Sequence, residues 1–377
     1  MHDKLTGTPH PPGASAAEYF SADYTEAREK FLEACRLAGA RVESFKNPNA
    51  GPKGEALYTD VALPGPADAK AVLVLGSGTH GVEGFCGSAI QTGLLRGGIA
   101  DRLRPGLRVV MIHALNPYGF AHLRRFNEDN VDLNRNFLDH SKPYPENPYY
   151  DALADAIELE TYNTMALANS VTRLMWYRAM HGKKALREAI SSGQYNHPHG
   201  LFYGGRFETW SNKTLRTIIR RYIHPAAHVA FVDFHTGLGP YGHEEIILNE
   251  PAESPAYRRA KAWWGERART TKTDESFSAD LSGTLKLVFS VMLPDAEVTA
   301  VSLEFGTVSR KEVFKALQAE NWLHHHGEKN SPLAGKIKAE MRRAFYPDTD
   351  DWKARVWLQG KDVVEEALAG LTEQMNK

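Results

Sequence analysis

The chain has 377 residues, of which 45 are lysine or arginine and 46 are aspartate or glutamate, so its formal net charge at pH 7 is -1. This near-neutral balance excludes the strong basic field that attracts nucleic acid or an anionic membrane surface. Hydrophobic residues make up 42% of the sequence, as in globular proteins, and no apolar run is long enough to span a bilayer. We therefore expect no nucleic-acid or membrane partner, and the oligomeric state stays open.

The cysteines and the amino-terminal residues indicate the compartment. Cys35 and Cys86 have a spacing that fits neither a metal site nor a redox motif. They suit a reducing compartment as small buried side chains, although one disulfide between them stays open from sequence. Residues 1–20 are rich in proline and glycine and lack the continuous apolar centre of a secretory signal. We therefore expect a cytoplasmic protein.

The first predicted elements are a helix and a hairpin. Residues 21–39 carry apolar side chains at helical spacing, which predicts an amphipathic helix that starts after Ser21 and ends near Gly39. Asn-Pro and Gly-Pro pairs then interrupt the extended stretches of residues 44–65. This pattern predicts a hairpin at an edge of a sheet.

Four short apolar segments, widely separated along the chain, predict the centre of that sheet. They are rich in β-branched residues, and the intervals between them are long enough for helical crossovers. Such segments favour strands that are buried on both faces of a mainly parallel sheet. The four segments are residues 71–75, 107–115, 228–234 and 298–305, and residues 244–248 are a further candidate strand. The predicted fold class is α/β, with a mainly parallel, twisted, mixed sheet and helices on both faces.

The longest interval between these strands predicts an insertion. Residues 140–227 read as largely helical, followed by a loop at residues 191–205 that we expect to reach the substrate. The sequence contains no internal repeat, low-complexity tract or flexible linker. We therefore expect a single domain over residues 1–377.

Two helices are predicted near the carboxyl terminus. Ser309 and Glu312 have the spacing of a capping box, which predicts a helix that runs to Gly327. Residues 361–371 predict another, short helix.

Polar side chains stand where the predicted strands end. The glycine-rich turn at residues 76–84 carries His80 three residues before Glu83, while His235 and Glu304 follow the apolar cores of two later strands. Ligands of α/β proteins bind beyond the carboxyl ends of parallel strands, so we expect these side chains to meet. Two imidazoles and one carboxylate are three protein ligands of a catalytic zinc site, which leaves the fourth position for water. The sequence therefore predicts a Zn²⁺ site formed by His80, Glu83 and His235.

Hydrolysis at such a site needs one more group. Bound zinc lowers the pKa of a water to about 7, but a side chain must still move the proton, and Glu304 is the candidate. The four glycines between residues 76 and 84 are expected to permit the backbone conformations that bring His80 and Glu83 to one metal.

These residues resemble the zinc carboxypeptidases of the funnelin (M14) type and their relatives, the succinylglutamate desuccinylases and aspartoacylases. The resemblance covers residues 71–140 and 228–307, and the order and spacing of its motifs make it specific. It is greatest to the bacterial branch with a DUF2817-type domain, through "HTGLGPYG" and "EFGT". The motifs are the H-x-x-E turn from His80 to Glu83, "NPYGFAHLRRFNEDNVDLNRNF" at residues 116–137, and the strand residue His235 followed by Glu304.

The resemblance implies a role for each matching residue. His80, Glu83 and His235 would ligate zinc, and Glu304 would act as general base and then as general acid. Asp132 would orient the first zinc histidine and raise its basicity.

The same resemblance implies how a substrate would be held. Asn134 and Arg135 would bind its terminal carboxylate, which a planar guanidinium meets in two parallel hydrogen bonds. Arg125 would stabilise the oxyanion of the tetrahedral intermediate, with the adjacent Arg124 as the alternative.

The activity that the resemblance implies is a zinc-dependent, carboxypeptidase-like hydrolase that cleaves an amide bond next to a carboxylate-bearing residue. Its substrate would be a peptide or small molecule with a free carboxylate. The carboxypeptidases usually carry a mobile substrate-binding tyrosine before the catalytic glutamate, whereas this chain has no tyrosine between Tyr257 and Glu304. An N-acyl amino acid deacylase is therefore an alternative. A non-catalytic protein that binds metal and carboxylates is the alternative from another class, and the presence of Glu304 argues against it.

Two further features call for a structural answer. Asp233 lies two residues before His235 and so on the same face of the predicted strand, where it would either orient that histidine or make a structural hydrogen bond. The consecutive histidines at residues 324–326 would point in different directions on a helix, which predicts a solvated helix end and no second metal site.

Overall fold

The computed structural model describes residues 15–271 and 281–376. Eight strands in these residues form one mixed sheet. In chain order the strands are β1 (Arg41–Ala50), β2 (Ala56–Leu63), β3 (Ala71–Gly76), β4 (Leu107–His113), β5 (His228–Tyr241), β6 (Glu244–Leu248), β7 (Ala268–Thr270) and β8 (Glu297–Gly306). They lie side by side in the order β1-β2-β4-β3-β5-β8-β6-β7.

The centre of the sheet is parallel, as the apolar segments predict. Strand β3 pairs in parallel with both β4 and β5, and β5 pairs in parallel with β8. The predicted hairpin is the antiparallel pair of β1 and β2, with β1 at the edge. On the other side β6, the further strand candidate, pairs antiparallel with β8. The predicted fold class, α/β with a mainly parallel mixed sheet, is confirmed.

Helices cover both faces of the sheet. The face covered by α1, α2, α7 and α11 is packed by one large apolar cluster, and the face covered by α6 and α8 is packed by a second. The helices are α1 (Tyr24–Leu37), α2 (Gly84–Arg96), α3 (Pro117–Ala121), α4 (Pro148–Ile157), α5 (Thr164–Ser191), α6 (Trp210–Ile218), α7 (Pro255–Trp264), α8 (Leu285–Met292), α9 (Arg310–His325), α10 (Pro332–Phe345) and α11 (Asp350–Met375). Across the described ranges, no helix has both the length and the apolar character needed to cross a bilayer.

The second face carries the polar residues of interest, and we call it the site face. On β5, Phe231 packs against Phe289 of α8, with ring centroids 4.3 Å apart. Side chains alternate along a strand, so Asp233 and His235 continue the row that starts with Phe231. By the same alternation Glu304 continues the row of Ala300, which packs on the same face of β8. On this face of the sheet, apolar packing is therefore replaced by polar side chains toward the carboxyl ends of the parallel strands.

The helices at the carboxyl terminus differ in length from the prediction. The capping box of Ser309 and Glu312 is present at the start of α9. The helix predicted at residues 361–371 is only the second half of α11, which has 26 residues. Gly360 lies inside α11, where a Cβ atom would stand 2.6 Å from Ile90 Cδ1. This glycine allows two helices to approach closely and does not mark a helix end.

Candidate metal centre

The turn after β3 is held against a second segment of the chain. His80 precedes a single 3₁₀ turn, Gly81–Glu83, which leads directly into α2. The backbone N–H of Gly81 donates to Arg125 O at 3.1 Å, and that of Val82 donates to Arg124 O at 2.8 Å. These two hydrogen bonds place the predicted zinc ligands beside the arginine pair.

The glycines of this turn serve two different purposes. Gly78 has φ +64°, a conformation that favours glycine, as expected. Gly81 and Gly84 have no positive φ. Glycine is needed at these positions because other segments of the chain leave no room for a side chain. A Cβ atom would lie 2.0 Å from the carbonyl carbon of Gly119 at the first position and 2.5 Å from the Phe120 ring at the second. The prediction of conformational freedom is therefore right for Gly78 and wrong for Gly81 and Gly84.

The three predicted zinc ligands converge on one point. Glu83 Oε1 lies 3.0 Å from His80 Nδ1, and Glu83 Oε2 lies 3.0 Å from His235 Nδ1. The two Nδ1 atoms are 3.2 Å apart, and all three side chains are buried. Ligand atoms about 2.1 Å from a tetrahedral ion lie about 3.4 Å from one another. The donor set and its spacing fit Zn²⁺.

Each imidazole is oriented by a carboxylate on its far side. His80 Nε2 lies 3.1 Å from Asp132 Oδ1, and His235 Nε2 lies 2.6 Å from Asp233 Oδ2. A carboxylate at Nε2 favours the tautomer with its proton there, which at His235 leaves the Nδ1 lone pair for a metal. His80 Nε2 also lies 2.9 Å from Arg125 Nη2. Asp233, left open by the sequence, thus bonds to His235 as Asp132 bonds to His80.

The buried charges of this cluster stabilise one another. Burial disfavours the His235 imidazolium, but the carboxylates of Asp233 and Glu83 outweigh it and raise the pKa of His235 well above its ordinary value. Burial acts against ionised Asp132 as well, yet Arg125 and His80 hold the pKa of Asp132 well below its ordinary value. Asp132 therefore keeps its negative charge beside His80 and Arg125.

Glu304 lies beside the cluster on the next strand. It is the register partner of His235 across β5 and β8, and 7% of its surface is exposed. The backbone N–H of Leu238 donates to its Oε1 at 3.0 Å. Burial and the nearby Glu83 carboxylate raise the pKa of Glu304 to about 8. A carboxyl group with this pKa can both accept and release a proton near neutral pH.

The structure separates the two adjacent arginines. Arg125 reaches the cluster, where its Nη1 donates to Glu83 Oε1 at 2.9 Å and its Nε donates to Asp132 Oδ2 at 3.1 Å. Arg124 points away, and its Nε donates to Glu320 Oε2 at 3.2 Å. Arg125 is therefore the arginine next to the predicted ligands.

The predicted carboxylate-binding pair lies at the same edge. The backbone N–H of Asn134 donates to Asp132 Oδ1 at 2.9 Å, and Asn134 Oδ1 accepts from Leu285 N–H at 3.0 Å. Arg135 is 2% exposed, and its Nε has no hydrogen-bond partner. Burial lowers the pKa of Arg135, and among the described residues no carboxylate forms an ion pair with it. Arg135 Nε is thus an unused donor beside the cluster, while the two Nη atoms donate to the backbone oxygens of Asn134 and Ser191.

The predicted substrate loop at residues 191–205 reaches the same place. The carbonyl of Tyr203 accepts a hydrogen bond from Asp132 N–H at 2.7 Å. The ring of Phe202 lies 5.4 Å from the Arg125 guanidinium carbon and 5.8 Å from that of Arg135. Phe202, a loop residue that the sequence did not single out, thus packs against both arginines.

His113 and the three consecutive histidines lie away from the cluster. His113 stacks on Phe31, and its Nε2 lies 2.9 Å from Ser88 Oγ. Residues 324–326 lie at the end of α9 and do not converge, although the first two are half-buried and only His326 is exposed. His325 stacks on His199, with centroids 4.5 Å apart, so the expected solvation holds for the last of the three.

Fold and site together define the class: an α/β protein with a mainly parallel mixed sheet and a candidate metal centre at the carboxyl edge of its parallel strands. The chain belongs to the DUF2817 family, described as "Protein of unknown function (DUF2817)", whose model matches residues 20–359. The family expected from the motifs is thereby confirmed. No curated protein sequence matches the chain at a significant level.

Solved structures show a similar fold at low identity. The metallo-carboxypeptidase from Burkholderia cenocepacia is 11% identical, with 94% of this chain and 71% of that chain covered and a TM-score of 0.48. Carboxypeptidase A from Helicoverpa armigera is 13% identical, with coverages of 85% and 73% and a TM-score of 0.44. An aspartoacylase family protein from Mesorhizobium loti is 14% identical, with coverages of 75% and 66% and a TM-score of 0.39.

Proposed function

We propose that this protein is a zinc-dependent hydrolase that cleaves the amide bond next to a residue with a free carboxylate. The observation that carries the proposal is the convergence of His80 Nδ1, His235 Nδ1 and the Glu83 carboxylate, with Glu304 on the adjacent strand. Zinc, when bound there, supplies a water of lowered pKa and polarises the scissile carbonyl.

Glu304 is proposed to move the proton. It accepts the proton of the attacking water and delivers it to the leaving nitrogen, so that one carboxyl group acts first as base and then as acid. Its burial and its hydrogen bond from Leu238 N–H hold it at a defined position beside His235. Burial and the Glu83 carboxylate raise the pKa of Glu304, which favours the second step, the retention of the proton until it passes to the leaving nitrogen.

Three donors are proposed to bind the substrate. Arg125, already beside Glu83, places a guanidinium where negative charge develops on the carbonyl oxygen. Asn134 and Arg135, with its unused Nε donor, bind the carboxylate of the residue that is released. The binding of that carboxylate selects amide bonds adjacent to it.

The acyl side of the scissile bond distinguishes two forms of this activity. A carboxypeptidase releases the last residue of a peptide, whereas a deacylase releases an amino acid from a small acyl group. The lack of a tyrosine between Tyr257 and Glu304 favours keeping the deacylase as the second candidate. Both forms share the proposed ligands, base and carboxylate-binding pair.

Metal analysis and a substrate panel test the proposal. We expect about one zinc per chain in the purified protein and loss of that zinc in His80→Ala and His235→Ala. His122→Ala, whose histidine lies apart at Ala50 O, is the matched control and should retain zinc. Hydrolysis of amino-blocked dipeptides is then compared with that of N-acetyl amino acids. Zinc that persists in both folded ligand variants, or no hydrolysis of either class, would contradict the proposal.

A further inference from the structure

A buried lysine of α8 has no place in the chemistry above. Lys286 is 4% exposed and lies in the apolar first turn of that helix. Its Nζ donates to Ile247 O at 2.8 Å, and among the described residues it forms no ion pair. An ammonium group has three donors, so two of them have no partner in this part of the chain. Lysine is rarely buried without pairing, and this one calls for a ligand.

The strands place Lys286 directly below the proposed base. Ile247, whose carbonyl it binds, is the register partner of Ser302 on β8. Ser302 and Glu304 are two residues apart and therefore on the same face of that strand. Ser302 is half-buried, whereas Ala300 and Glu304 on the same face of the strand are buried. The site face is thus partly exposed at Ser302, one residue pair below Glu304 and level with Ile247.

The segment before Lys286 adjoins the proposed carboxylate-binding pair. Leu285, its direct neighbour, donates its N–H to Asn134 Oδ1. At Gly283 a Cβ atom would stand 2.6 Å from Arg135 O. The start of α8 therefore carries Lys286 and, through Leu285 and Gly283, lies directly against Asn134 and Arg135.

The ammonium keeps its charge in this position. Burial lowers the pKa of Lys286 to about 8, opposed by the carboxylates of Glu250, Asp233 and Glu304. At neutral pH the side chain is therefore mainly cationic. A buried cation with unused donors is complementary to an anion, and a ligand carboxylate in reach would form a charge-assisted hydrogen bond.

We propose that Lys286 binds an acidic side chain of the residue that the enzyme releases, so that the preferred substrates end in glutamate or aspartate. The inference rests on the proposed function: Asn134 and Arg135 hold the main-chain carboxylate, and Lys286 holds a second carboxylate deeper on the site face. Lys286 is thus a specificity-determining residue and takes no part in proton transfer.

A purely structural role makes a different prediction. If Lys286 only balances the charges of Asp233 and Glu304, its loss changes the binding and hydrolysis of all substrates by a similar factor. If it binds the substrate side chain, its loss affects acidic ligands and spares their neutral isosteres. The ratio of the affinity for an acid to the affinity for its amide therefore distinguishes the two roles.

Product binding gives this ratio without any hydrolysis. L-glutamate and L-glutamine are nearly isosteric, and their binding to the zinc-loaded protein is measured by calorimetry, together with the aspartate and asparagine pair. We expect at least one acid to bind about 30- to 1,000-fold more tightly than its amide in the wild type. In Lys286→Met we expect a ratio near one. Lys353→Met, in which the lost lysine pairs with Asp348 at 2.7 Å, is the matched control and should keep the wild-type ratio.

Each outcome decides the proposal. A ratio near one for both pairs in the wild type overturns it, as does no binding of any of the four ligands. A preference that persists in folded Lys286→Met also overturns it. If that variant does not fold, Lys286→Gln provides the comparison. Should the acid preference depend on Lys286 while neither substrate class is hydrolysed, the proposed function fails and the acidic-ligand site stands.

Discussion

Arg124 and Arg125 are neighbours in sequence, yet their side chains enter two buried clusters of opposite character. Arg124 joins Glu320 and Lys338, and we call these three the structural cluster. Glu320 Oε1 lies 3.0 Å from Arg124 Nε and 2.7 Å from Lys338 Nζ. Burial opposes ionisation of Glu320, but the two cations lower its pKa to about 2. In this cluster the only carboxylate is held by cations of the same chain.

The second cluster surrounds Arg125 and has an excess of negative charge. Glu83 and Asp132 accept hydrogen bonds from this arginine, while Asp233 bonds to His235. Its carboxylates therefore outnumber its permanent cations, and two imidazole Nδ1 atoms point inward. We expect a cluster of this composition to bind a cation from outside the chain. The comparison teaches that burial alone does not mark a functional site, whereas incomplete charge balance does.

The largest effect is expected from a substitution that removes the proposed catalytic base and leaves both clusters in place. Glu304→Gln removes the proposed base but retains its shape. We expect about a 1,000-fold loss of kcat, since positioned acid and base groups contribute about 10²- to 10⁴-fold. Zinc content should be unchanged, because Glu304 is not among the ligands. Steady-state kinetics and elemental analysis of the same preparation check this, and full activity in the variant would remove Glu304 from the mechanism.

The next effect tests the structural cluster. Glu320→Gln leaves Arg124 and Lys338 buried without their carboxylate, and breaking a buried pair in this way costs about 3–5 kcal/mol. We expect the free energy of unfolding to fall by that amount in denaturant titrations, with zinc content and KM unchanged. A fall below about 1 kcal/mol would show that the cluster does not stabilise the fold.

Substitution of each arginine tests the comparison between the two clusters directly. Arg125→Lys should lower kcat about 100-fold, because one flexible ammonium cannot reproduce the hydrogen bonds to Glu83 and Asp132 while it faces the substrate. Arg124→Lys should lower stability and leave kcat nearly unchanged. Both kcat and thermal stability are measured for each variant. If Arg124→Lys lowers kcat while Arg125→Lys lowers only stability, the roles of the two residues are exchanged.

The buried lysine is expected to cost stability. A lysine whose pKa falls from 10.5 to about 8 lowers the free energy of unfolding by about 3 kcal/mol at neutral pH. Between pH 8 and 10.5 the folded state binds fewer protons than the unfolded state, so this cost diminishes as the pH rises. Lys286→Met should therefore stabilise the protein at pH 7 and have little effect at pH 10.5.

Other groups must be held constant in that measurement. The carboxylates of Glu250, Asp233 and Glu304 act on Lys286, and Glu304 titrates in the same range. Urea unfolding of Lys286→Met is therefore compared with its parent in a Glu304→Gln background at both pH values. A stabilisation that does not depend on pH would assign the effect to packing.

The smallest expected effect concerns the carboxylates behind the histidines. Asp132→Asn and Asp233→Asn should each weaken zinc binding about 10- to 100-fold, because the carboxylate orients the imidazole and raises its basicity. Competition with a chromophoric chelator measures the affinity. Equal zinc affinity in both variants and the wild type would reduce the two carboxylates to a structural role.

Local patterns were sufficient for the central strands of the sheet and for the choice of the candidate metal ligands, whereas β7 was not predicted. The four apolar segments and the further candidate at residues 244–248 correspond to strands β3, β4, β5, β8 and β6, with residues 114 and 115 beyond the end of β4. The ligand set was found because His80 and Glu83 are three residues apart and His235 ends an apolar core. The first part of α11 was missed, and the glycine within it, Gly360, is explained only by the approach of Ile90 from another helix.

The sequence by itself determined the fold class and the chemical types at the carboxyl edge of the sheet, because periodicity and residue type are properties of short segments. Only the tertiary structure decided which arginine faces the ligands, since both lie on one turn and differ in their distant partners, Glu83 and Glu320. It also decided that Lys286, a lone lysine in an apolar segment, lies below Glu304. Burial, charge balance and unused donors arise from residues far apart in sequence, and no local pattern contains them.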